Sequence, residues 1–411
     1  MSAAHAVEAA AGDETLFLVS LQPGATALSR NRREVVSFDL EGRPSTWMVD
    51  GRTYKRSLSS EIYGRRSVEG VRRRWRVDVE DAEAHFRRAG AAAAAAQAAL
   101  ERGSLRRAAG AERFRPLSAD EATALAERLE RIRGWTPERL AGERTRFLAA
   151  YEPVSILPPD QYGAIVLQAT HGCSWNRCTF CTFYQDRPFA VREPAAFEAH
   201  AQAVGALLGA SAAARRGVFL ADGNALVLSN ARLRPLFEVV RRHFPGRNLA
   251  GFVDVFGGER KPPGDWRELA AWGLTRVAVG LETGSDELLA YLNKPGSAAE
   301  AAAFVTTLKE AGLTVSVILM VGVGGEAYAA RHEAESRSLL ARLPLGRGDL
   351  VYLSPFVPQA GSAYVARIEA EGVRPLSREE RNGQYRRMRR AVRAALPDAR
   401  VALYHIDEFV Y

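Results

Sequence analysis

Ala164-Ile-Val-Leu-Gln-Ala-Thr-His-Gly-Cys-Ser-Trp-Asn-Arg-Cys-Thr-Phe-Cys-Thr-Phe-Tyr184 runs from an apolar stretch straight into a loop that holds every cysteine of the chain. The apolar half reads as a buried strand, and the loop follows it directly. Cys173, Cys178 and Cys181 are spaced C-x4-C-x2-C. Close thiolates repel unless a cation holds them, and thiolates are ligands for soft metal centres. Three ligands on a cubane of four irons leave one iron open for chemistry. A structural zinc site completed by His171 or another residue uses the same cysteines. Zinc sites, however, usually draw paired ligands from two separated knuckles, and no second Cys or Cys/His pair is present. A single reactive thiol would need one cysteine, not three.

Outward from this stretch, apolar runs alternate with amphipathic ones. Strands are expected at 164–170, 217–221, 249–255, 276–281, 314–321 and 350–354. Helices are expected between them, at 194–208, 232–243, 266–272, 298–311 and 327–343. Alternating βα units imply a parallel sheet. Six units are too few for a closed eight-stranded barrel, so the expected fold is α/β with a partial (β/α)6 TIM-like barrel. Sites in such folds lie at the carboxyl ends of the strands, where the cysteine loop begins.

Upstream, the runs 35–38, 46–49 and 53–54 are separated by Glu41-Gly42 and Asp50-Gly51, which predicts a small antiparallel meander. Residues 79–150 read as helical, with a capping box at Ser118–Glu121 and Pro137 at a first turn. Three segments are expected: 1–152 as an N-terminal α+β extension, 153–365 as the barrel, and 366–411 as a C-terminal helix and strand. Residues 1–15 are expected to be frayed, and residues 1–14 lack the pattern of a secretion signal.

The 411 residues are 47% hydrophobic and 25% charged, ordinary for a globular protein, and no apolar run approaches a membrane span. Sparse, clustered cysteines point to a reducing cytoplasm rather than a disulfide scaffold. The net charge is +8, carried by arginine, with lysine only at 55, 261, 294 and 309. Basic clusters at 30–33, 72–76 and 386–390 read as solvated helix faces, with nucleic-acid binding as the alternative.

These residues resemble the radical S-adenosylmethionine (radical SAM) superfamily over roughly 160–365. The resemblance implies that Cys173, Cys178 and Cys181 bind a 4Fe–4S cluster and that SAM chelates the fourth iron. It also implies that an electron cleaves SAM to methionine and a 5′-deoxyadenosyl radical, which takes a hydrogen atom from the substrate. Phe180 matches the aromatic residue before the last cysteine, while Cys173 and Cys178 stand one residue further apart than in the commonest family spacing. Phe180, Phe183 and Tyr184 either pack under the cluster or cover adenine. Leu220-Ala-Asp-Gly-Asn-Ala225 occupies the place of the segment that meets SAM's amino group, with Asp222 or Asn224 in place of the usual glutamate. Asp254 follows the third strand. Gly280-Leu-Glu-Thr-Gly-Ser-Asp-Glu-Leu-Leu289 is similar to a segment of the branch with anaerobic coproporphyrinogen oxidases, tRNA methylthiotransferases and the elongator catalytic subunit. There Glu282 would bond the ribose hydroxyls, Gly284 would give a tight turn, and Ser285 or Asp286 would cap a helix. Ile318-Leu-Met-Val-Gly-Val-Gly-Gly-Glu326 resembles the adenine-binding strand and turn, with Val321 and Gly322 at its centre. Leu353–Tyr364 resembles the exit from the sixth strand.

The implied function is an oxygen-sensitive cytoplasmic enzyme. It would act on an unidentified small molecule and use an external electron donor such as flavodoxin or ferredoxin. tRNA is an alternative substrate. With no further cysteine, a second cluster ligated by thiolates is not expected, and no cobalamin-binding motif is read in the first 150 residues. The rival from another class is a zinc-stabilised nucleic-acid-binding protein without catalysis. A radical SAM protein that keeps its cluster only for structure is a third reading.

Overall fold

The computed structural model describes residues 16–68, 71–108, 113–406 and 411. The expectation for residues 1–15 lies outside these, as do the last positions, 407–410, of the predicted terminal strand. The chain divides into two compact units, Met1–Phe147 with Leu208–Ala214, and Leu148–Leu207 with Arg215–Phe409 and Tyr411.

In the first unit the strands are β1 (Phe17–Gln22), β2 (Ala25–Arg30), β3 (Glu34–Phe38), β4 (Pro44–Val49), β5 (Arg52–Arg56), β6 (Ile62–Val68), β7 (Val71–Arg76), β8 (Arg106–Ala108) and β9 (Phe114–Pro116). They form one sheet in the order β7-β6-β5-β4-β3-β2-β1-β8-β9, larger than the expected meander. The Asp50-Gly51 turn pairs Val49 with Arg52, both turn residues having positive φ. The β2–β3 turn uses Asn31 and Arg32 at positive φ, and without a glycine it left little signal. Helices α1 (Val79–Glu101), α2 (Ala119–Arg133) and α3 (Pro137–Ala150) follow. The Ser118–Glu121 capping box forms as expected. Ala89, Ala93, Ala96 and Ala99 of α1 are buried with Val36, Phe38 and Trp47 of the sheet. Their small side chains let the helix backbone approach the strands closely.

In the second unit the strands are β10 (Ile165–Gln168), β11 (Thr170–His171), β12 (Ala190–Val191), β13 (Val218–Ala221), β14 (Leu249–Val253), β15 (Leu274–Glu282), β16 (Thr314–Val321), β17 (Leu350–Pro355) and β18 (Arg400–Leu403). The helices are α4 (Pro194–Leu208), α5 (Asn230–His243), α6 (Val255–Gly258), α7 (Pro263–Ala271), α8 (Asp286–Tyr291), α9 (Ala298–Glu310), α10 (Gly325–Leu340), α11 (Ala363–Ala370) and α12 (Arg378–Ala395). The sheet is parallel throughout, in the order β10-β13-β14-β15-β16-β17-β18, a partial TIM-like barrel that does not close. The six expected strands are present, and β18 adds a seventh. Residues 366–406, the expected helix and strand, fall in the same compact unit as the barrel strands. The physical reason is pairing: β18 satisfies the outer edge of β17, with Leu350 opposite Arg400 and Leu353 opposite Leu403. Among the described residues no helix is long and apolar enough to cross a membrane.

Candidate active site

Strand β10 is wholly buried and delivers the chain to the carboxyl end of the sheet. There β11 pairs antiparallel with β12, Thr170 opposite Val191 and His171 opposite Ala190. This short ladder ties the base of the loop that carries the three cysteines. Gly172 has φ +67°, and a Cβ there would sit 3.1 Å from the Pro188 carbonyl oxygen. The crown of the loop is tied down as well. Thr179 N donates to Leu292 O at 3.0 Å, Trp175 Nε1 donates to Asn293 O at 2.8 Å, and Tyr364 N donates to Thr179 O at 3.0 Å.

Cys173, Cys178 and Cys181 line one pocket together with Asp254, Glu282 and Lys294. Burial pushes the Cys178 thiol up to about 12 and the Cys181 thiol up to about 11. Such thiols become thiolates only when a cation offsets the charge. Among the described residues no three His, Cys, Asp or Glu side chains converge on one point as the ligands of a single ion would. Three thiols around one pocket are the donor set that a cluster with one open iron would take.

The strand ends supply the rest. Glu282 closes β15 at φ +62°, where the register with β16 shifts between Gly280 and Glu282. The irregularity leaves the carboxylate in the pocket, where Oε1 accepts from Lys294 Nζ at 3.0 Å. Burial alone would lower the Lys294 pKa, but the charge of Glu282, with Cys178 and Asp254 behind it, raises it, so the side chain stays an ammonium. Asp254 also lines the pocket. It caps α6 through the Gly257 amide and accepts from Asn224 Nδ2, while its own amide donates to Asn224 Oδ1 at 3.0 Å. The capping role and the pocket position thus coexist in one residue.

Other expected residues fall differently. Phe180 and Tyr184 are on the pocket wall, as is Phe183. Asp222 and Asn224 are buried on either side of Gly223, which is itself on the wall. Asn224 Nδ2 donates to Ser174 Oγ at 2.9 Å and so reaches the cysteine loop. Asp222 Oδ2 lies 3.7 Å from Arg187 Nη1, and burial pushes its carboxyl up to about 7. Val321 and Gly322 are not on the wall; Ile318 and Met320 are. Alternation along β16 sets Val321 on the face opposite Ile318 and Met320, and Gly322 lies just beyond the strand. The Gly322 amide is taken by Gln384 Oε1 at 2.6 Å. Glu326 is exposed and pairs with Arg374 at 3.0 Å. Ser285 caps α8, whereas Asp286 accepts from the Ala298 amide. Gly284 is required by close approach rather than by positive φ: a Cβ there would lie 2.5 Å from Glu335 O.

Sequence reasoning missed Lys294. Its signal was scarcity: it is one of four lysines in a chain that otherwise uses arginine. It also missed Arg187, which joins Asp222 and Glu152 beneath the loop.

A three-thiol loop at the carboxyl ends of an open parallel barrel, facing strand-end carboxylates, defines a class of metallocofactor domain. Residues 167–335 match the family described as the Radical SAM superfamily, and this segment is a radical SAM domain. The heme chaperone HemW of Mycobacterium tuberculosis is 33% identical over 114 residues, covering 26% of this chain. The match spans only 28% of that relative's own length. Among solved structures, coproporphyrinogen III oxidase (HemN) from Escherichia coli is similar with TM-score 0.42 and 14% identity, over 57% of this chain and 53% of that one. Elp3 of Methanocaldococcus infernus gives TM-score 0.40 and 13% identity, over 58% and 55%.

Proposed function

We propose that this chain is a radical SAM enzyme in which Cys173, Cys178 and Cys181 hold a 4Fe–4S cluster. The observation that supports it most is the sharing of one pocket by the three thiols, Asp254, Glu282 and Lys294 within the radical SAM domain. When bound, the cluster supplies one-electron reduction and SAM supplies a 5′-deoxyadenosyl radical able to take a hydrogen atom from a substrate. The residues of the chain do the binding. Glu282 is a carboxylate suited to a ribose diol. Lys294 is a nearly buried cation able to meet a carboxylate, and Asp254 complements an ammonium. Met320 offers an apolar surface for a purine. Trp175, Phe180 and Phe183 limit water around the thiols. The substrate is an unidentified small molecule, the electron donor an external one-electron carrier such as flavodoxin or ferredoxin, and the compartment the reducing cytoplasm.

Anaerobic reconstitution tests the reading. The protein should take up about four irons per chain and absorb in the visible range, as cluster-bound thiolates do. Dithionite with SAM should then yield 5′-deoxyadenosine. Cys178→Ala should lose both iron and product. A reducible, fully loaded cluster that yields no 5′-deoxyadenosine would overturn the proposal, and a colourless zinc-loaded protein would favour the rival.

A further inference from the structure

The charged side chains on the pocket wall all have protein partners. Lys294 pairs with Glu282 at 3.0 Å, and Asp254 bonds Asn224 and the Gly257 amide. The remaining wall has a different character. Ile156, Phe252, Ile318, Tyr404 and Ile406 line the same pocket and belong to one apolar cluster with Ala278, Leu350 and Tyr352. Among the described residues this part of the wall carries no Lys, Arg, His, Asp or Glu. Its polar groups are neutral, namely the Ser354 hydroxyl, the Gln359 amide and the Tyr404 hydroxyl. The Tyr404 side chain is buried, and its hydroxyl makes no hydrogen bond of normal geometry although the Leu157 backbone lies close by.

We propose that the substrate presents an uncharged, largely apolar group to this wall, with one hydroxyl, carbonyl or amide that bonds to the Tyr404 hydroxyl. The inference rests on the reading above, in which SAM takes up the charged residues. A carboxylate or phosphate set against Ile156, Phe252, Ile318 and Ile406 would lose its hydration and meet no cation, which is strongly unfavourable. A buried hydroxyl without a partner is itself unfavourable, and a neutral polar atom of the ligand would satisfy it. The wall therefore selects against a sugar–phosphate backbone and against free acids, and for neutral molecules with an aromatic or aliphatic body.

Equilibrium dialysis of the cluster-loaded protein tests this directly, with S-adenosylhomocysteine present to occupy the charged residues. The probes are 1-naphthaleneacetamide and 1-naphthaleneacetate, which share a shape and differ in charge. The amide should bind at least tenfold more tightly than the acid. Tyr404→Phe, which keeps the ring, should weaken amide binding three- to tenfold, and Ile318→Asp should weaken it further. Acid binding as tight as the amide's, or amide binding unaffected by both substitutions, would overturn the proposal. Iron content and 5′-deoxyadenosine are measured on the same preparations. A preparation that forms 5′-deoxyadenosine yet prefers the acid sinks the substrate class alone. One that takes up no iron sinks the SAM reading, with the dialysis comparison still judging the wall.

Discussion

Replacing Lys294 by Met would leave the Glu282 carboxylate buried beside Asp254 and three thiols with no cation among them. Breaking a buried pair from one side costs about 3 kcal/mol. Lys294→Met should therefore melt several degrees below the parent and bind S-adenosylhomocysteine at least tenfold more weakly in calorimetry. Lys294→Arg, which keeps the charge, should recover much of both, and equal loss in the two variants would argue for shape rather than charge. Asp222 makes a prediction in the other direction. Its carboxyl, pushed up to about 7 by burial, prefers to be protonated in the fold. Ionising it therefore costs stability: the penalty is absent below about pH 4, grows between pH 4 and 7, and is complete above pH 7. By linkage it reaches on the order of 4 kcal/mol. Asp222→Asn should thus gain on the parent as pH rises from 4 to 8, read as the difference in melting temperature at the two ends. A difference that does not change with pH would show that the carboxyl is not desolvated.

Between strand and strand, the cysteine loop is held by elements distant in sequence. The β11–β12 ladder ties its base, and backbone bonds to Leu292 and Tyr364 tie its crown. Gly223, following β13, lets the loop seat: a Cβ there would lie 2.7 Å from the Tyr184 ring and 3.0 Å from Cys173 Cβ. Gly223→Ala should leave the far-ultraviolet circular dichroism unchanged yet reduce iron uptake at least twofold. Full iron loading by this variant would mean the loop is free to move away. The strands of this element were legible because their buried, near-continuous apolar runs mark parallel pairing. The resemblance marked Val321, the last residue of β16, and Gly322, the residue after it. The two-residue period instead sets Ile318 and Met320 on the pocket wall.

Each of the two units of the whole molecule depends on contacts far apart in sequence. In the first, Arg43 is buried and bonds Asp39 at 2.9 Å, Glu143 at 2.8 Å and Leu208 O at 3.1 Å. Arg43→Met leaves Glu143 buried and short of a cation, so a loss of about 3 kcal/mol is expected from denaturant titration. In the second, removing residues 366–411 would strip β18 from β17 and Gln384 from the Gly322 amide. The shortened chain should elute as aggregate in size-exclusion chromatography, since an apolar central strand becomes an open edge. A monodisperse shortened chain would show that the seventh strand is dispensable.

Local patterns in the sequence were enough to determine the parallel α/β class, the places of six barrel strands along the chain and the loop that carries the three thiols. Apolar runs, turn residues and cysteine spacing are short-range properties, and each acts on the chain where it stands. Lys294 against Glu282, Asn224 between Ser174 and Asp254, β18 beside β17 and the neutral wall around Tyr404 were decided only by tertiary structure. These are pairings between residues tens to hundreds of positions apart. Their energies depend on burial and distance, which no local pattern encodes.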